Sequence, residues 1–129
     1  MPATGWIQAR AAVFLAAEAA AFPWVKLHIG HPGAAMTANA AAETDRLQAT
    51  WGSVALASDG HSVELAFTAD LEWLSVAGSE DYTHISGWSL VSGGTAGWSG
   101  ELTADAVVVG NDFRIPAGAY VLRQPIAYT

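Results

Sequence analysis

From Trp24 onward, the pattern is that of strands joined by glycine-rich turns. In HSVELAF, residues 61–67, Val63, Leu65 and Phe67 fall on one side of an extended chain and Ser62, Glu64 and Ala66 on the other, the alternation of a half-buried strand. YVLRQ at 120–124 repeats the pattern, with Tyr120, Leu122 and Gln124 opposite Val121 and Arg123. Strands are predicted at 24–29, 46–51, 62–68, 71–76, 83–90, 98–103, 106–109, 113–115 and 119–124. Between them lie SDG at 58–60, SGGTAG at 92–97, VGND at 109–112 and PAG at 116–118, each offering a glycine for positive φ or a proline for a fixed bend. Many short strands joined by such turns predict a mainly β fold, a single β-sandwich or jelly-roll-like domain. PGAAMTANAAAET, residues 32–44, has no period and little side-chain volume, and is expected to be a long surface loop with Met36 and Asn39 as contact candidates.

Before Trp24 the pattern changes. GWIQARAAVFLAAEAAAF, residues 5–22, is rich in alanine and leucine, with Thr4 placed to cap a helix and Pro23 to end it near Phe22. The expected organisation is therefore an N-terminal helix over 1–23 and a β-sandwich domain over 24–129. At 100° per residue, Ala9, Ala12, Ala16, Ala19 and Ala20 make a smooth face without a large side chain. Ile7, Phe14, Leu15 and Phe22 lie among polar residues on the other half, a distribution that predicts burial on two sides. The smooth face suits either a helix laid across its own sheet or one docked on another subunit. The apolar run 11–17 is far shorter than the ~20 residues a bilayer requires, Glu18 interrupts it, and no convincing cleavage region follows, so neither a membrane span nor a signal peptide is expected.

The chain has 129 residues, enough for one domain with a sizeable core. Five Lys and Arg against twelve Asp and Glu give a formal charge of −7, which disfavours a phosphate backbone as partner. There is no cysteine, so thiolate chemistry, disulfides and cysteine zinc sites are excluded.

KLHIGHPG at 26–33 contains the letters HIGH, which some nucleotide-binding enzymes use to hold ATP. That use needs a helix starting inside the motif, whereas Pro32-Gly33 favours a turn and Lys26 is the only lysine in the chain. As metal ligands, His28 and His31, with His61 or His84, fit no spacing of known geometry. Ser86, Ser89 and Ser92 lie in a strand-and-hairpin pattern without a nucleophile elbow, and Asp59, Asp81, Asp105 and Asp112 occupy turn positions. No catalytic residue, cofactor or metal is expected. Six tryptophans are a compositional excess. Trp88 and Trp98, beside Trp51 and Trp73, are expected to fill a core or interface, or else to form a sugar-stacking platform.

The order of motifs resembles a family of small bacteriophage virion proteins, tail fibre or minor tail proteins found especially in phages of actinobacteria. Its strand ending L-H-T-x-D-P-G is similar to LHIGHPG at 27–33, where Leu27, His28, Pro32 and Gly33 match and Ile29 and His31 depart. Its Y-A-R and T-F/W-G segment resembles TDRLQATWG at 44–52, with Arg46, Thr50, Trp51 and Gly52 but no tyrosine. YTHISGWSLVSGGTAGWSGELT at 82–103, with His84, and VGNDFRIPAGAYVL at 109–122, with Pro116 and Gly118, resemble its later segments. The resemblance implies a non-catalytic subunit of the virion, assembled in the bacterial host cytoplasm from copies of itself and other virion proteins, with a host cell-wall glycan as a candidate partner. It implies a minor tail protein at the tail tip or fibre. A capsid decoration protein on the head shell and a carbohydrate-binding module using surface tryptophans are the alternatives.

Overall fold

A computed structural model describes residues 6–126. The fold class is as expected: mainly β, with one N-terminal helix ahead of antiparallel sheets. Residues 6–20, 50–69 and 116–126 form one compact unit, and residues 21–49 and 70–115 another.

In the first unit, helix α1 (Gln8–Ala21) packs on a three-stranded sheet of order β3-β4-β9, where β3 is Ala55–Leu56, β4 Ser62–Ala66 and β9 Val121–Pro125. Thr4 lies outside the described residues, but Trp6 and Ile7 are not helical, and the Ile7 carbonyl accepts the first helical N–H groups, from Arg10 and Ala11. Pro23 has no N–H to continue the ladder, and the helix stops just short of it. The residues that α1 buries are Ala11, Leu15 and Ala19, against Val63, Leu65 and Ile126. Of the two uses open to the smooth alanine face, packing on the chain's own sheet falls instead to a side about a quarter of a turn away, with Ala19 alone shared. Leu15 carries apolar area that alanine lacks, and the small residues one turn either side let it reach the sheet. The strand alternation holds: Leu65 and Leu122 are direct cross-strand partners, while on the opposite face Arg123 Nε donates to Glu64 Oε2 at 2.9 Å. The sequence pattern missed β3, two residues too short to carry a period.

In the second unit a four-stranded sheet has order β2-β1-β6-β7, with β1 at Trp24–His28, β2 at Leu47–Gln48, β6 at Glu80–Trp88 and β7 at Ala96–Val107. A ribbon of β5 (Leu71–Trp73) and β8 (Phe113–Ile115) joins its core, where Phe113 stands edge-on to Tyr82 with ring centroids 4.9 Å apart. The strand expected over 46–51 is divided. Leu47 and Gln48 pair with β1, whereas Trp51, which belongs to the first unit, makes an isolated antiparallel bridge with Phe67 of that same unit. The two strands expected at 98–103 and 106–109 are one, β7, because it is an edge strand where Asp105 can face solvent while pairing with Tyr82. Opposite Trp98, Gly87 of β6 has no side chain, and the space its Cβ would need holds the Trp98 indole. Trp98 Nε1 donates to the Phe22 carbonyl at 3.0 Å, and the Phe22 ring in turn covers Gly97.

Candidate functional site

Alternation along β1 places Trp24, Lys26 and His28 on one face of the four-stranded sheet and Val25 and Leu27 on the other, in the core. Opposite that first face, β6 supplies Trp88, Ser86 and His84 in register with them. The long loop expected at 32–44 is irregular, with a turn at 33–36, and its backbone returns over this face. Gly33 at φ 77° makes the turn, whereas Met36 and Asn39 adopt left-handed φ of 59° and 53° without being glycine, a strained conformation that the loop's bonds must hold.

Those bonds centre on His28, which is fully buried. Its Nδ1 lies 3.0 Å from the Ala38 carbonyl, an oxygen that only accepts, so Nδ1 carries the proton. Nε2 is then an acceptor, and the Ser86 hydroxyl donates to it at 2.7 Å. Ser86 Oγ in turn accepts from Trp88 Nε1 at 2.8 Å. Burial is the main cause that lowers the His28 pKa below the ordinary imidazole value; the Ala38 carbonyl opposes it, and nearby Lys26 and His84 add to it. A serine and a histidine at this spacing have the outline of a nucleophile and its base, yet both are closed to solvent. The chain of bonds works as a latch that ties loop to sheet. Around it, Asn39 Nδ2 donates to the His31 carbonyl at 2.8 Å, and His31 Nδ1 accepts from the Gly33 N–H at 3.0 Å.

Arg46 completes this region. Its guanidinium lies 4.3 Å from the centre of the Trp88 ring, and Nη1 donates to the carbonyls of Leu90 and Gly93, pinning the β6–β7 hairpin. Lys26 stands beside it in a cleft of about 540 Å³ lined also by Thr44, Asp45, Leu47, Val91 and Ser92. Desolvation, and then the neighbouring Arg46 charge, lower the Lys26 pKa. Among the described residues, no group of three or more His, Asp or Glu is placed to hold a metal ion.

The structure therefore gathers Leu27, His28, Pro32, Gly33, Met36, Asn39, Arg46, His84 and Trp88 into one region. The rest lie elsewhere. Gly118 turns the chain ahead of β9, its N–H donating to the Phe67 carbonyl, and the Pro116 carbonyl accepts from Ala119 in the same turn. On α1, Ala19 is buried, Ala12 is half-buried, and Ala9, Ala16 and Ala20 are exposed. As for a tryptophan platform, Trp88 is only 7% exposed, and Trp98 is half-buried with its indole over Gly87. Sequence reasoning weighed Lys26 only against a nucleotide motif and Ser86 only as a nucleophile, although W-x-K-x-H and H-x-S-x-W put them on the same faces as the residues it chose. It also missed the exposure of Trp6, Val13 and Phe14.

A family model described as podophage GP4 fiber I protein gp80 matches residues 10–123. The chain belongs to that family. The gp80 fibre family makes this protein a phage fibre-type protein and a structural component of the virion, the coarser part of what the resemblance implied. The L-H-T-x-D-P-G motif, an actinobacterial phage origin and a seat at the tail tip do not come with this match. Among curated proteins, nothing matches. Most of α1, the whole latch and most of β9 fall within the span matched to the gp80 fibre family. No helix of the described residues is long and apolar enough to cross a membrane.

Proposed function

We propose that this protein is a non-catalytic fibre subunit that assembles with copies of itself through the outer face of α1, at the tail fibre or tail tip, and serves attachment to the host. The observation that carries the reading is the face left open once Ala11, Leu15 and Ala19 are buried. Ala9, Ala16 and Ala20 are exposed there with Val13 and, at its margin, Phe14, whose ring packs edge-on to exposed Trp6. Apolar surface grouped in this way favours a protein partner, and small residues let two backbones approach closely. A second copy fits better than a charged surface, because α1 carries only Arg10 and Glu18 while the chain as a whole is acidic enough to repel itself elsewhere. Sedimentation velocity on wild type and Val13→Glu tests this. An oligomer that Val13→Glu converts to a folded monomer supports the proposal. A wild type that stays monomeric, or an assembly indifferent to the charge, overturns it.

A further inference from the structure

We propose that the Lys26–Arg46 cleft is a binding site for a carboxylate-bearing saccharide; as the contact made during attachment, it rests on the host-attachment reading above. The chain has five basic residues. Arg114 and Arg123 are ion-paired with Asp70 and Glu64, and Arg10 lies exposed on α1. The remaining two, Lys26 and Arg46, share one cleft and make no ion pair with the described residues, although Asp45 lines the same wall. Arg46 is held rigidly by Trp88 and by the two hairpin carbonyls on Nη1, while Nε and Nη2 make no hydrogen bond to the described residues. Two cations brought together in a protein of net charge −7 repel each other, and a bound anion relieves that repulsion while gaining charge-assisted hydrogen bonds from both. Arginine in a fixed orientation suits a planar carboxylate.

The rest of the lining selects among anions. Thr44 and Ser92 offer hydroxyls that donate or accept, Leu47 and Val91 offer apolar surface for C–H groups, and Asp45 accepts only. A bare inorganic anion or an acidic peptide side chain meets repulsion from Asp45. A ligand that carries hydroxyls beside its carboxylate instead donates to it. About 540 Å³ holds one or two sugar rings.

The test is titration of the full chain with sodium glucuronate, glucose and sodium acetate, read from indole N–H shifts in ¹H–¹⁵N spectra, with Lys26→Met as the variant. Glucuronate should bind, glucose and acetate should each bind about tenfold or more weakly, and Lys26→Met should weaken glucuronate by a similar factor without altering the fold. Glucose binding as well as glucuronate, or acetate binding equally well, overturns the proposal, the latter by showing a simple anion site. So does a Lys26→Met protein that binds unchanged, or a wild type silent to glucuronate up to about 50 mM. Self-assembly through α1 is read separately by sedimentation, so either result stands without the other.

Discussion

Ser86→Ala removes one oxygen from the interior and should cost far more than one hydrogen bond. Ser86 Oγ serves two buried neighbours, donating to His28 Nε2 at 2.7 Å and accepting from Trp88 Nε1 at 2.8 Å. His28 is fully buried and Trp88 is 7% exposed, so neither nitrogen finds water when the hydroxyl is gone. A buried polar group left unpaired costs about 1–3 kcal/mol, and two of them give about 2–6 kcal/mol. That is a large share of the roughly 5–15 kcal/mol by which a domain of this size is stable. The loss should appear as a lower urea midpoint in tryptophan fluorescence, because Trp88 belongs to the network. Ser99→Ala is the control. Ser99 is the direct partner of Ser86 on β7 but is exposed, so its loss should change stability by less than about 0.5 kcal/mol. If Ser86→Ala stays within about 0.5 kcal/mol of wild type, or if both variants lose equally, the latch does not hold the loop as described.

Gly87→Ala places a methyl group where the Trp98 indole lies and breaks the bond from Trp98 Nε1 to the Phe22 carbonyl; it should cost at least about 2 kcal/mol, and a neutral urea midpoint would refute the packing. Stability should fall on acidification below about pH 6.5, since the unfolded chain takes up a proton at His28 near pH 6.5 that the folded chain refuses. Its contribution is whole above the unfolded value and is lost as pH drops through the lowered folded one, so urea midpoints that stay level across this window would count against a neutral, buried His28. At the alkaline end the sign reverses: burial, then Glu80 and Glu43, push the Tyr82 pKa up to about 12, so its contribution is whole below pH ~10 and is lost between there and about 12. Tyr82→Phe should flatten that alkaline loss and leave stability at neutral pH unchanged or higher by about 1 kcal/mol, because the hydroxyl is buried without a hydrogen-bond partner among the described residues; a clear drop would reveal one.

Much of this was legible where side chains alternate over several residues. β1, β4, β6 and β8 lie where the pattern put them, and Gly60, Gly93, Gly94, Gly110 and Gly118 all adopt positive φ in expected turns. The pattern failed where a strand is too short to have a period, as in β3, or where one expected run is broken, as between Gln48, paired in a sheet, and Trp51, which makes only an isolated bridge. It failed on α1 because alanine is silent about facing: five alanines outlined a smooth surface, while Leu15 decided the side that packs. His28 and Arg46 were visible as motif letters, but their partners were not. Ala38 offers a backbone carbonyl that no sequence advertises, and Ser86 lies 58 residues from His28. Lys26 was visible as the only lysine, but its place in a cleft depends on Arg46 arriving beside it from the approach to another strand.

The central claim is a virion fibre subunit joined to its copies by the outer face of α1, and a cryo-EM reconstruction of intact particles tests it most directly. Density for this chain should lie in a fibre of the tail, with Ala9, Val13 and Ala16 of one copy covered by a neighbouring copy. Density on the head shell, or an α1 face open to solvent in the assembled fibre, would contradict the account.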